Sequence, residues 1–142
     1  MPLDLTSLEK AVVSLGKALT VAASARRSAV FSETEKDVIR AGVIQNFEFT
    51  YELCWKFMKR WLEASVGEAY VEGMSRRELF RMAAEQHLID DVERWFDYHE
   101  ARNETAHTYD ADKAEEISAK AVGFHGDAMK FLAALKERND RS

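Results

Sequence analysis

The chain has 142 residues, 46% apolar and 32% charged, a globular composition sized for one domain with a single core. Its formal charge of −5 argues against broad, sequence-blind nucleic-acid binding, which neutralises many phosphates, but leaves room for a small basic cleft. The single cysteine, Cys54, excludes an internal disulfide and a Cys-rich zinc site, and no apolar run reaches the roughly 18 residues of a membrane span.

Met-Pro-Leu-Asp-Leu at the start lacks the basic and apolar regions of a signal peptide, so the expected compartment is the cytoplasm. Pro2 is the one proline, which leaves the rest of the chain free to be helical. The expectation is one domain over 1–142, with disordered ends at about 1–4 and 139–142.

Five short polar residues stand three positions before a glutamate: Thr6/Glu9, Ser32/Glu35, Ser75/Glu78, Asp90/Glu93 and Asp112/Glu115. In such a capping box each side chain satisfies a free backbone N–H at a helix start. The first helix carries Leu8, Val12, Leu15, Leu19 and Ala22 at three- and four-residue steps and fades near Ser24–Ser28. The second runs from about Glu33 to Ala64, roughly 45 Å, with Ile44, Phe47, Tyr51, Cys54, Phe57, Met58 and Trp61 along one face. Cys54 therefore reads as core.

Gly67 and Gly73 mark a loop, and a short helix follows from Arg76 to His87. A fourth helix spans about Asp91 to Ala106, with Val92, Trp95, Phe96 and His99 on or beside its inner face. A fifth spans about Lys113 to Arg138, with Ile117, Ala121, Phe124, Ala128, Phe131 and Leu135 inward. No stretch alternates with period two. The fold expected is all-α, an up-and-down four-helix bundle with one additional short helix.

Chemistry concentrates in Arg102-Asn103-Glu104-Thr105-Ala106-His107-Thr108-Tyr109. Arg is a permanent charged fork suited to phosphate, and His trades protons near neutrality. Asn103 and His107 share a helix face, whereas Arg102 and His107 converge only if the helix ends or distorts here. The plainer alternative pairs Arg102 with a carboxylate and sets His107 at a helix C-terminus. Glu104 and His107 make one Glu-x-x-His step, but the second copy that a di-iron bundle needs is missing, and no metal or cofactor is expected. His87, His99 and His125 read as surface or satisfied core residues.

Gln45, Glu48, Glu52 and Lys56 form a polar stripe on the second helix, either a solvated face or the lining of a groove shared with Arg102 and His107. Lys56, Lys59 and Arg60, with Arg76, Arg77 and Arg81, are candidates for local positive charge; solvated helix faces are the plainer reading.

Arg102, Asn103, His107 and Tyr109 match the Arg-x4-His-x-Tyr signature of HEPN (higher eukaryotes and prokaryotes nucleotide-binding) domains. The run RAGVIQNFEFTYELCWKFMKRWLE resembles the corresponding helix of the nucleotidyltransferase-substrate-binding branch, and the similarity extends from Leu5 to about Leu135. The resemblance implies a homodimer with two copies of the motif across one cleft. It implies the toxin of a type VII-like HEPN–MNT toxin–antitoxin pair, a metal-independent endoribonuclease acting on an RNA substrate. Arg102 and His107 would be catalytic, with Asn103 supporting them. A minimal nucleotidyltransferase antitoxin would transfer AMP to Tyr109. The alternative is a non-catalytic substrate-binding subunit of a two-component nucleotidyltransferase.

Overall fold

A computed structural model describes residues 2–141; the disorder expected at Met1 and Ser142 lies outside the described residues. Its helices are α1 Thr6–Arg26, α2 Glu33–Ser65, α3 Glu68–Val71, α4 Arg76–Glu85, α5 Val92–Glu104 and α6 Ala111–Arg141, with a 3₁₀ turn at Thr105–His107. The described residues contain no strand.

Two of the five expected capping boxes form, Ser32/Glu35 and Ser75/Glu78, each closed from both sides. The other three helix starts use an aspartate at a different position. Asp4 takes the Thr6 amide and hydroxyl (3.0 and 2.7 Å), Asp91 takes the Glu93 and Arg94 amides, and Asp110 takes the Asp112 and Lys113 amides. A carboxylate presents two acceptors and suits the positive end of the helix dipole, so it caps without a reciprocal glutamate. The Gly67–Gly73 loop also holds one helical turn, α3, anchored by the buried Val71.

Side-chain pairs between helices fix their directions. Ser14 Oγ donates to Asn46 Oδ1 (2.6 Å) and Thr50 Oγ1 to the Ala11 carbonyl (3.3 Å), so α1 and α2 are antiparallel. Glu9 pairs with Lys136 (3.2 Å), which sets α6 antiparallel to α1 across the His125–Gly16 contact. Arg94 with Asp127 (2.7 Å) and Glu104 with Lys113 (3.5 Å) make α5 antiparallel to α6. Thus α1, α2, α5 and α6 alternate in direction as the expected up-and-down bundle, with α3 and α4 inserted between α2 and α5.

The core is aromatic. Phe124 stands edge-on to Phe47 (5.1 Å), Tyr98 (5.0 Å) and Trp95 (5.8 Å), and Trp95 continues to Phe131 (6.1 Å). Such edge-to-face pairs each add about 0.5–1.5 kcal/mol beyond area burial. Cys54 is fully buried among these side chains, which raises its thiol pKa well above the ordinary range. The inner faces expected for the second and last helices are buried, except that Trp61 remains half-exposed.

Near the two ends of the described residues, Leu3 and Asn139 are linked. The Asn139 side chain donates to the Leu3 carbonyl (2.9 Å) and accepts from its amide (3.0 Å), while α6 continues to Arg141. None of the described helices is long and apolar enough to cross a membrane.

Candidate active site at the end of α5

The helix carrying Arg102 stops where Thr105 folds back. Both the Thr105 amide and its Oγ1 (2.7 Å) bond the Arg102 carbonyl, tightening the chain from α-helix into a 3₁₀ turn. Thr108 Oγ1 then donates to the Thr105 carbonyl (3.3 Å), the Asp110 amide donates to the His107 carbonyl (3.1 Å), and Asp110 begins α6. Hydroxyls and a carboxylate, without glycine or proline, build the connection that presents His107 and Tyr109. The helix break required for Arg102 and His107 to approach one ligand is therefore present.

Arg102 is half-buried and held from three sides. Its Nε donates to Glu52 Oε1 (3.1 Å), Nη1 donates to Thr105 Oγ1 (3.2 Å), and Glu48 Oε2 lies 3.8 Å from Nη1. Glu52 spends its other oxygen on Trp55, whose Nε1 donates to Oε2 (3.0 Å). The Arg76 guanidinium covers the Trp55 ring at 3.8 Å and donates from Nη1 to the Tyr51 hydroxyl (2.9 Å), which lies 2.8 Å from His99 Nδ1. Arg can only donate, so the Tyr51 oxygen accepts from Arg76 while pairing with the His99 ring nitrogen. Burial, then the Arg76 and Arg77 charges, hold His99 below its ordinary pKa, and burial pushes Tyr51 up to about 12.

The expected site residues divide into three neighbourhoods. Glu48 and Glu52 meet Arg102 directly, as the plainer pairing of Arg102 with a carboxylate anticipates. Gln45 and Glu48 also line a groove of about 620 Å³ with Thr108 and Tyr109. Tyr109 is 87% exposed, and His107, also exposed, meets it edge-on at 6.1 Å between ring centroids. Asn103 stands apart from these, exposed on the α6 side in a groove of about 390 Å³ lined also by Glu104, Lys113 and Lys120. Glu104 is engaged by Lys113 (3.5 Å). Among the described residues no three His, Cys, Asp or Glu side chains are placed to hold a metal ion.

Sequence reasoning missed Thr105 and Trp55, and placed Arg76 only among the candidates for local positive charge. Trp55 carried a signal, standing three residues after Glu52 on one helix face. Spacing gave no sign of the Arg76 contact with Trp55, because it depends on how α4 returns along α2.

Comparison with known proteins joins this geometry to a lineage. A family model described as nucleotidyltransferase substrate binding protein like matches residues 3–137. The chain is 36% identical, over 105 residues, to the Haemophilus influenzae protein named probable ribonuclease HepT, covering 73% of this chain and 72% of that protein. Its fold matches a solved Haemophilus influenzae structure presented as the fold of a substrate binding domain of a nucleotidyltransferase. There the TM-score is 0.87 at 30% identity, over 94% of this chain and 99% of that one. A Thermus thermophilus structure matches with TM-score 0.64 at 27% identity, over 85% of this chain and 98% of that one. The chain belongs to the nucleotidyltransferase substrate-binding-protein-like family.

Proposed function

We propose that this chain is the toxin of a type VII-like HEPN–MNT toxin–antitoxin pair. In this reading it is a cytoplasmic, metal-independent endoribonuclease that works as a homodimer and is silenced when a minimal nucleotidyltransferase transfers AMP to Tyr109. One observation carries the reading: His107 and Tyr109 stand ring edge to ring face at 6.1 Å, both solvent-open, just beyond the helix end that holds Arg102. Proton shuttle, charge fork and modifiable phenol share one end of α5. The 36% identity to a protein named as a ribonuclease supports the same conclusion.

RNA brings its own nucleophile, the 2′-hydroxyl, so the protein supplies proton transfer and charge stabilisation. His107 takes the 2′-hydroxyl proton or gives one to the leaving 5′-oxygen, worth about 10²–10⁴ in rate. Arg102 holds the non-bridging oxygens of the phosphorane through a charge-assisted fork. Its Nε is committed to Glu52 and its Nη1 to Thr105, with Glu48 3.8 Å from Nη1, which leaves Nη2 for phosphate. A second copy facing the exposed His107 completes the cleft. Asn103 serves His107 only if the α5 end adjusts in the dimer, because within one chain it faces the α6 side. An adenylyl group on Tyr109 adds bulk and negative charge beside His107 and repels RNA. Cleavage of RNA in EDTA, compared between wild type and His107→Ala, tests the reading.

A second reading has its own observation. The Arg102 guanidinium already rests on Glu48 and Glu52, as a structural cation would. In that reading the bundle is a non-catalytic substrate-binding subunit of a two-component nucleotidyltransferase. It then binds a nucleotide or small substrate in the groove and leaves RNA intact.

A further inference from the structure

We infer that the outer surface of α4 and of the C-terminal half of α2 is a track for the RNA sugar–phosphate backbone, leading to Arg102. This rests on the ribonuclease reading and extends it to how the substrate is held. Six cations lie on these two helices, Lys56, Lys59 and Arg60 on α2 and Arg76, Arg77 and Arg81 on α4, in a chain whose net charge is −5. The two groups, distant in sequence, are joined where Arg76 lies over Trp55 at 3.8 Å.

Elsewhere Arg40, Arg94, Arg102, Lys113, Lys120 and Lys136 each hold a carboxylate within 3.9 Å. Among the described residues Lys56, Lys59, Arg60, Arg76 and Arg81 hold none, and Arg77 reaches Glu100 only at 4.0 Å. Aromatic rings support five of the six instead, all but Lys59. Arg60 lies over Phe57 (5.0 Å), and Arg77 and Arg81 over Phe96 (4.6 and 5.4 Å). Among the described residues Lys10, Lys17, Arg26, Arg27, Lys130 and Arg138 likewise hold no carboxylate within 4.0 Å, but of these only Arg138 lies over an aromatic ring. A ring stabilises a cation without neutralising it, so the outward side of each guanidinium stays available to a phosphate.

Register and position fit a chain of phosphates. On α2, Lys56 and Arg60 are separated by one helical turn, about 6 Å of rise, on the same stripe as Glu52. Glu52 is bonded to both Trp55 and Arg102, so the cation surface adjoins the proposed cleavage site, with this one carboxylate between them. The guanidiniums occupy the ring faces, which leaves phosphate charge, not base stacking, as the contact. Affinity along the track is then insensitive to sequence and sensitive to salt.

The test uses the full-length His107→Ala protein, so that cleavage does not intrude, and a fluorescein-labelled single-stranded oligouridylate. Anisotropy titrations across a salt series compare three proteins of that background. One is otherwise unchanged. One adds Lys59→Gln, Arg60→Gln and Arg81→Gln, and one adds Lys10→Gln, Lys17→Gln and Arg26→Gln, the same charge change on α1. All six substituted side chains are exposed, and circular dichroism verifies the folds. The track variant should bind more than tenfold weaker at low salt, with the log–log salt slope reduced by about 2, as loss of three single-strand phosphate contacts requires. The α1 variant should stay within twofold of the parent. Equal weakening in both variants overturns the track, as does a track variant that binds RNA normally but loses an acidic protein partner. If the parent binds as described while wild type cleaves no RNA, the ribonuclease reading fails and the surface stands.

Discussion

Arg102 and Glu52 form the contact on which the site is organised: Nε to Oε1 at 3.1 Å, with the second carboxylate oxygen held by the Trp55 indole. Glu52 is thereby a positioning residue for Arg102 and also a negative charge close to where a phosphate would sit. Glu52→Gln should lower kcat by about 10- to 100-fold, because the guanidinium loses its charged anchor. At the same time KM for RNA should fall or hold steady, because a repulsive charge is gone. A purely structural role would raise unfolding and leave that kcat-against-KM split absent. Steady-state kinetics with a denaturation curve separates the two.

Tyr109 is 87% exposed and makes no contact that folding needs beyond the edge of His107. Tyr109→Phe should leave stability within about 0.5 kcal/mol of wild type. Incubated with the partner nucleotidyltransferase and ATP, wild type should gain AMP-sized mass additions and the variant none. Additions that persist in Tyr109→Phe would place the modification elsewhere.

His99 links stability to pH. Its folded pKa lies below its unfolded value, chiefly through burial and then through Arg76 and Arg77, with Glu100 and Glu52 acting in the opposite direction. The unfolded chain thus binds a proton that the folded chain resists. The stabilisation is full above about pH 6.5, and it is lost as pH falls from there through the folded pKa. Chemical denaturation from pH 7.5 down to about pH 5 should show falling stability in wild type, and a shallower fall in His99→Gln.

His87 ends α4 with φ +60°, and behind it the Leu88 amide closes onto the Ala83 carbonyl (2.9 Å) as in a Schellman turn. A side chain in this left-handed conformation costs about 1–2 kcal/mol relative to glycine. His87→Gly should raise Tm by about 3 °C with activity unchanged. A lower Tm would mean that the imidazole makes a compensating contact.

Much of this fold was legible in the sequence because helix periodicity is local. The Ile44 to Met58 face and the Ile117 to Leu135 face needed no tertiary information to assign as inward. Three of the helix starts were placed one or two residues off, or on the wrong side chain, because Asp4, Asp91 and Asp110 lack the reciprocal glutamate that marks a capping box. At the site, Arg102, His107 and Tyr109 stood out as a motif, and the polar stripe Gln45, Glu48 and Glu52 followed from spacing. That the stripe faces Arg102, and that Asn103 turns to the opposite side, depends on the rotation of α5 against α2. Spacing along one helix carries no record of that angle.

The ribonuclease assignment stands or falls on RNA cleavage by purified protein in EDTA. Wild type should produce fragments ending in 2′,3′-cyclic phosphate, and His107→Ala should produce none while its circular dichroism remains that of the bundle. Full cleavage by His107→Ala, or no cleavage by wild type free of AMP on Tyr109, would contradict it.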